Sequence, residues 1–139
     1  MNYPIKPYTG VGKINFDMTV TEVRKTLEAE SETSKKSGKD VPSDFFESLG
    51  IFVDYRLPGI CHAVEFAGPA SPTFEGQELL GRPFNNFASW IKTLDRDVIV
   101  DDAGLKSIKY GFGVYAPSAK KNPELPIEGV IVFDRDYYQ

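Results

Sequence analysis

GIFVDYRLPGICHAVEF, residues 50–66, is the stretch of sequence that decides the fold. Apolar and aromatic residues fill two runs, and the Leu57-Pro58-Gly59 segment between them holds Pro and Gly where tight turns prefer them. Two such runs around a turn predict an antiparallel hairpin, with one strand over 50–56 and a return strand over 60–66. We therefore expect an antiparallel sheet at the centre of the molecule.

Two amphipathic helices are predicted, one before and one after this hairpin. The first spans 18–27 and opens with a capping box formed by Thr19 and Glu22. The second begins at Pro83, which suits the first turn of a helix, and its apolar residues recur at helical spacing up to Leu94. Further strands are predicted at 98–100, 105–115 and 127–133. Residues 28–43 are polar and aperiodic, which predicts a mobile loop or a fraying helix end.

The order of these elements predicts an α+β fold, in which one antiparallel sheet carries two helices packed on one face. We expect a single domain over residues 1–139, with possible repeat halves at 12–68 and 76–134. Two short matches, each 67 residues apart, suggest this helix–strand–strand repeat: Lys25-Thr-Leu27 with Lys92-Thr-Leu94, and Ile60-x3-Val64-x-Phe66 with Ile127-x3-Ile131-x-Phe133. Coincidence explains matches of this length equally well.

The composition argues for a protein partner and against nucleic acid. The chain has 139 residues and a net charge of −4, and it shows no basic stripe to neutralise phosphates. Residues 44–139 hold nine Lys or Arg against fourteen Asp or Glu. An acidic excess of this kind favours a basic partner and speeds its association. The alternative is that the acidity only maintains solubility.

Common catalytic and metal sites need residues that this chain does not supply in a usable arrangement. Cys61 and His62 are the only Cys and His, and neighbours in a strand point to opposite faces. We expect His62 on the face of Val64 and Phe66, with Cys61 opposite. A nucleophile–base pair and a structural zinc set are both excluded on this basis. The sequence therefore predicts a protein that is not an enzyme and has no metal or cofactor.

The compartment is predicted to be the cytoplasm. One cysteine gives no internal disulfide, and the first residues, MNYPIKPYTG, lack the apolar core of a signal peptide. No apolar stretch reaches the length of about 18 residues that spanning a membrane requires.

Aromatic and acidic side chains remain as candidate partner-binding groups, because Tyr, Trp and Arg are enriched at interface hot spots. The candidate aromatic anchors are Tyr3, Tyr8, Tyr110, Tyr115, Tyr137, Tyr138 and Trp90. Asp101-Asp102 and Asp134-x-Asp136 do not match a calcium loop and are typical of turns and strand ends. The predicted partner-binding residues are Asp101, Asp102, Asp134, Asp136, Tyr137 and Tyr138.

The motif Gly12-x-Ile14-x-Phe16-x-Met18-Thr-x-x-Glu22-Val, leading into a short helix, resembles the entry of small bacterial proteins built as a helix followed by a hairpin. The tandem helix–strand–strand plan resembles immunity proteins of polymorphic-toxin and contact-dependent inhibition systems. It is also similar in outline to the outer-membrane assembly lipoprotein BamE and to beta-lactamase inhibitory protein, although the lipobox cysteine of the first and the disulfide pair of the second are missing. The immunity-protein resemblance implies tight binding of one cognate toxin, commonly a nuclease, with occlusion of its active or substrate-binding surface.

Two alternative functions stay open. One is a non-catalytic intracellular adaptor or scaffold domain that binds no toxin. The other is a carboxylate-based hydrolase, which requires two carboxylates converging in a cleft. The oligomeric state and the activity of the toxin are not predicted.

Overall fold

A computed structural model describes residues 2–34 and 41–138. The fold is α+β with two α-helices: α1 at Val20–Leu27 and α2 at Phe84–Leu94. The strands before α2 are β1 Asn2–Lys6, β2 Gly10–Val11, β3 Ile14–Asn15, β4 Glu32–Ser34, β5 Ser43–Phe46, β6 Ile51–Arg56, β7 Ile60–Phe66, β8 Ser71–Phe74 and β9 Gln77–Glu78. Those after it are β10 Ile99–Asp101, β11 Gly104–Ser107, β12 Phe112–Tyr115 and β13 Gly129–Phe133.

Eight antiparallel strands form the large sheet, in the order β10-β11-β12-β13-β7-β6-β5-β4. The predicted hairpin is confirmed as β6 and β7, which turn through 57–59. Both helices pack on one face of this sheet, as predicted. The capping box is present in α1, where the Glu22 N–H donates to Thr19 Oγ1 at 3.2 Å and the Thr19 N–H donates to Glu22 Oε1 at 3.0 Å.

The strand order of the large sheet is symmetric about its centre. Strands β4 to β7 lie on one side and β10 to β13 on the other, and β7 meets β13 in the middle. The entry into each helix bonds to the chain at or just before a central strand: the Cys61 N–H in β7 donates to Met18 O at 2.8 Å, and the Ile127 N–H, two residues before β13, donates to Arg82 O at 2.9 Å. Each half therefore has the same order of elements, a helix followed by a four-stranded meander.

The short matches that suggested a repeat do not align in this arrangement. Val64 lies opposite Val132, whereas Ile131 lies opposite Glu65. Since opposite residues share a face and consecutive residues do not, Val64 and Ile131 point to different faces. The match at a spacing of 67 residues thus pairs positions that are not structurally equivalent, and duplication of the chain stays a prediction.

A second, smaller sheet was not predicted. It has five strands in the order β3-β2-β1-β8-β9, and its β1–β8 pair is parallel. It packs on the same face of the large sheet as the helices, as shown by the contact of Tyr3 with Phe66 at 5.4 Å and that of Phe74 with Phe112 at 4.8 Å. One hydrophobic cluster joins the helices, the small sheet and this face of the large sheet.

Two predicted segments are wrong in detail. Residues 105–115 form two strands, because the chain turns where the Gly111 N–H donates to Ser107 O at 2.9 Å. Gly111 has φ +72°, a conformation that glycine adopts without strain, so the turn ends the expected alternation and leaves Ile108 exposed. Within 28–43, β4 and the start of β5 pair instead of forming a loop. The part of that prediction on residues 35–40 lies outside the described residues.

None of the described helices is long and apolar enough to cross a membrane.

Candidate functional site

The face of the large sheet opposite the helices carries the candidate site, and we call it the outer face. One row of opposed residues crosses all eight strands: Glu32, Phe45, Phe52, Glu65, Ile131, Gly113, Lys106 and Ile99. Opposed residues share a face, and this row lies outside the main hydrophobic cluster. Its apolar members are only partly buried, and Ile99 is 47% exposed. The outer face therefore presents apolar surface to solvent.

An open groove of about 440 Å³ lies on this face between β7 and β10. Its floor is formed by Gly104, Gly113 and Gly129, on three neighbouring strands. A Cβ at Gly129 would lie 3.5 Å from Tyr115 Cβ, and one at Gly113 would lie 3.5 Å from Ile131 Cγ2. The space beside Tyr115 and Ile131 is open because Gly129 and Gly113 have no side chains. We name this feature the glycine groove, and its wall residues are Glu65, Asp101, Lys106, Tyr115, Ile131 and Tyr138.

Two of the predicted residues, Asp101 and Tyr138, come together in the glycine groove. Asp101 ends β10, and its Oδ1 accepts a hydrogen bond from the Ala103 N–H at 2.8 Å, which orients the carboxylate. Tyr138 is 52% exposed, and the Nζ of Lys106 lies 4.0 Å from its ring centroid. Burial, and then the charge of Glu65, raise the pKa of Tyr138. The ring thus forms a wall that already holds one cation of this chain.

Tyr137 has a different position from Tyr138. Its ring stacks on Phe133 with centroids 6.0 Å apart and meets the edge of His62 at 5.0 Å. Burial raises the pKa of Tyr137 to about 12, with the charges of Asp54 and Glu65 adding to the effect. Tyr137 is not part of the groove lining. It covers Phe133 and acts as a packing residue.

The other predicted carboxylates lie outside the groove lining. Asp102 pairs with Lys120 at 3.2 Å, and both side chains are mostly exposed. Asp134 Oδ1 accepts from the Arg135 N–H at 2.8 Å in the turn that follows β13, and Asp136 is exposed in the same turn. The six predicted residues are therefore divided between the groove, the adjacent hairpin tip and the tail.

The faces predicted for Cys61 and His62 are reversed. A β-bulge between β6 and β7 places Cys61 opposite Tyr55 and Ala63 opposite Asp54, so His62 is the extra residue. Cys61 is fully buried in the main cluster, and burial raises the pKa of its thiol to about 12. His62 instead contacts Tyr137. A buried thiol that stays protonated does not favour nucleophilic chemistry.

A second set of polar groups is buried beside α1. Asp44 accepts from Arg24 Nε at 3.0 Å, from Arg24 Nη2 at 2.7 Å and from the Tyr55 hydroxyl at 2.8 Å. The hydrogen bond to Arg24 raises the pKa of that guanidinium, and burial raises the pKa of Tyr55. Because three donors occupy the carboxylate, Asp44 has a structural role and is a poor general acid or base.

Within residues 2–34 and 41–138, no group of three His, Cys, Asp or Glu side chains is arranged to hold a metal ion. A separate depression near the β4 edge is lined by the carboxylates of Glu28, Glu30, Glu32 and Glu47. The glycine groove differs from it in combining two tyrosines, an aliphatic wall and charges of both signs.

Sequence reasoning named Tyr115 among the aromatic anchors but did not place it in the site. It also named Tyr3, which is buried in the core at 5% exposure. The glycines were missed as a group because they become neighbours only through strand pairing. Gly111-Phe-Gly113, with two glycines around one aromatic residue, is the local sequence feature nearest to the groove floor, because Gly113 belongs to that floor.

Comparisons with protein-family models, with curated proteins and with solved structures returned no match.

Proposed function

We propose that this protein is an immunity protein that acts in the cytoplasm and neutralises a cognate bacterial toxin by binding to it. The observation that carries the proposal is the glycine groove. It is a concave site on a rigid sheet with two tyrosines that are each about half exposed, Tyr115 at 53% and Tyr138 at 52%. Aromatic side chains beside a recess are typical anchors of protein interfaces.

The charge around the groove favours a basic partner. Its walls contain two carboxylate residues, Glu65 and Asp101, and one cationic residue, Lys106. Asp97 and Asp102 are exposed at the two ends of β10, beside the groove. A nuclease-type toxin carries a basic surface for its phosphate substrate, and an acidic inhibitor face is complementary to that surface. Occlusion of the substrate surface then blocks the toxin without any catalysis by this chain.

Co-expression tests the proposal most simply. The product of the gene directly upstream of this chain, where the toxin of an immunity protein is expected to be encoded, is expressed in a sensitive host, alone and with the chain. We expect growth to be restored by the wild-type protein and not by Asp101→Lys. The control is Glu124→Lys, which makes the same charge change at an exposed position outside the groove lining and should restore growth fully.

Co-purification separates the outcomes. Restored growth together with a stable complex supports the proposal. A stable complex without restored growth indicates an adaptor, and an adjacent toxin gene whose product neither binds nor is neutralised contradicts toxin neutralisation. Equal rescue by Asp101→Lys and wild type contradicts the assignment of the groove.

A further inference from the structure

The glycine groove contains a slot whose two sides match one side chain in particular. Asp101, Gly104, Tyr115 and Gly129 lie opposite one another in a single row across β10 to β13. Gly104 separates the other two side chains, so Asp101 and Tyr115 are two strand spacings apart, roughly 10 Å between their backbones. A carboxylate residue and an aromatic residue therefore lie on the same face of the sheet, and the position between them has no side chain.

The ring of Tyr115 is available for a partner. It is 53% exposed and has no ring contact or side-chain hydrogen bond with the part of the chain that the structure describes. Lys106, the only cation in the groove lining, is held against the other tyrosine, with its Nζ 4.0 Å from the ring centroid of Tyr138. The positive charge within the groove is thus placed at Tyr138, and the Asp101 carboxylate remains on the opposite side.

We infer that this slot receives an arginine side chain of the partner protein. A planar guanidinium pairs with a carboxylate through two N–H groups and stacks on an aromatic face, so one group satisfies both sides of the slot. The aliphatic stem of arginine lies over the backbone of Gly104, the position between Asp101 and Tyr115 that has no side chain. A lysine supplies the charge without the planar stacking surface, and an uncharged side chain supplies neither.

This inference rests on the proposed function only for the nature of the partner, and it deepens that proposal by naming the anchoring side chain. The inference can be tested without the toxin. The probe is the peptide acetyl-Gly-Ser-Arg-Ser-Gly-amide, titrated into the ¹⁵N-labelled full-length chain and followed by amide chemical shifts. Matched peptides replace arginine with lysine or with citrulline, which keeps the shape of arginine and removes its charge.

The expected result is a set of shift changes at residues 101, 104, 115 and 129, with affinity in the order arginine, lysine, citrulline. Asp101→Asn and Tyr115→Leu should each weaken binding of the arginine peptide about two- to fivefold, since an exposed charge pair or cation–π contact has roughly that effect. Lys106→Met removes a like charge and should strengthen binding about twofold. Glu124→Gln, at an exposed position outside the groove lining, should leave affinity unchanged, and an unaltered spectrum outside the slot shows that each variant is folded.

Several outcomes overturn the inference. Equal affinity for the citrulline and arginine peptides overturns it. Shift changes that map outside the groove overturn it as well. The absence of any change at about 20 mM peptide, where even millimolar affinities are measured, also overturns it. If the same resonances move with protein concentration alone, a second copy occupies the slot instead. Rescue from a toxin without arginine binding contradicts only the inference, whereas arginine binding without rescue contradicts only the proposed function.

Discussion

At the scale of single residues, Tyr55 shows how the core fixes one edge of the large sheet. Its hydroxyl donates to the buried carboxylate of Asp44 at 2.8 Å, and that carboxylate also binds Arg24. Hydrogen bonds to charged groups stabilise proteins more than neutral ones do. The contact thus ties β5 to β6 and both strands to α1.

We predict that Tyr55→Phe lowers the free energy of unfolding by about 2 kcal/mol, because it leaves the buried carboxylate one donor short. Urea denaturation followed by circular dichroism measures the change. Tyr115→Phe is the matched control, since that hydroxyl is exposed, and it should lie within about 0.5 kcal/mol of wild type. Equal effects of the two substitutions would contradict a structural role for the Asp44–Tyr55 contact.

The buried thiol of Cys61 predicts that the free energy of unfolding falls at alkaline pH. Burial raises the pKa of its thiol from 9.0 to about 12 in the folded protein. A raised pKa gives stability that is fully present below the unfolded pKa and is lost as pH rises towards the folded pKa.

Between pH 8 and pH 10, we therefore expect the wild type to lose about 1 kcal/mol more stability than Cys61→Ala loses. Denaturation curves at several pH values in this window measure how the free energy of unfolding changes with pH in the wild type and in Cys61→Ala. Parallel slopes would show that the thiol does not titrate differently in the folded and unfolded states.

At the scale of elements, helix α1 is specified by signals close together in the sequence. Thr19 and Glu22 predicted its start, and both hydrogen bonds of the capping box are present. Thr19→Ala should destabilise the protein by about 1 kcal/mol, because it leaves a helix N–H without its acceptor. Thr21→Ala, exposed in the first turn of the same helix, is the control and should have little effect in the same thermal or urea unfolding assay.

Local signals of this kind also predicted the β6–β7 hairpin, through the Pro58-Gly59 turn. They failed where the structure depends on backbone conformation or distant pairing. Alternation over 105–115 gave no sign that Gly111 would adopt a positive φ and end the strand. The bulge at His62 likewise follows from pairing with β6, and it exchanged the faces assigned to His62 and Cys61.

Tyr137 and Tyr138 are neighbours in the C-terminal tail and were predicted to have the same role, but their surroundings differ. Tyr137 stacks on Phe133 with ring centroids 6.0 Å apart, whereas Tyr138 meets Phe133 edge-on at 4.9 Å and is half exposed at the groove. Tyr137→Ala should lower the free energy of unfolding by about 2 kcal/mol through lost packing, and Tyr138→Ala by about 1 kcal/mol, since half of that side chain is exposed. Unfolding of the two variants side by side is the measurement. A larger loss for Tyr138→Ala would contradict this division of roles.

At the scale of the whole molecule, the groove exists only because five neighbouring strands, from β7 through β13, β12 and β11 to β10, are assembled in one order. Its floor glycines lie at 104, 113 and 129, and its walls range from Glu65 to Tyr138. Charge and aromatic content predicted that Asp101 and Tyr138 bind a partner. Neither property predicted that strand pairing brings both residues to one recess, since the register of distant strands depends on the complete sheet.

Calorimetric titration of the upstream gene product into the wild-type chain and into the double variant Asp101→Asn/Tyr115→Ser measures whether the glycine groove binds the toxin. The control is Glu124→Gln/Leu57→Ser, which alters an exposed carboxylate and an exposed apolar residue outside the groove. We predict that the groove variant stays folded and binds about 100-fold more weakly, as expected for the loss of interface hot spots, while the control binds as wild type does. Undiminished binding by the folded groove variant would contradict the claim that the glycine groove is the partner-binding site.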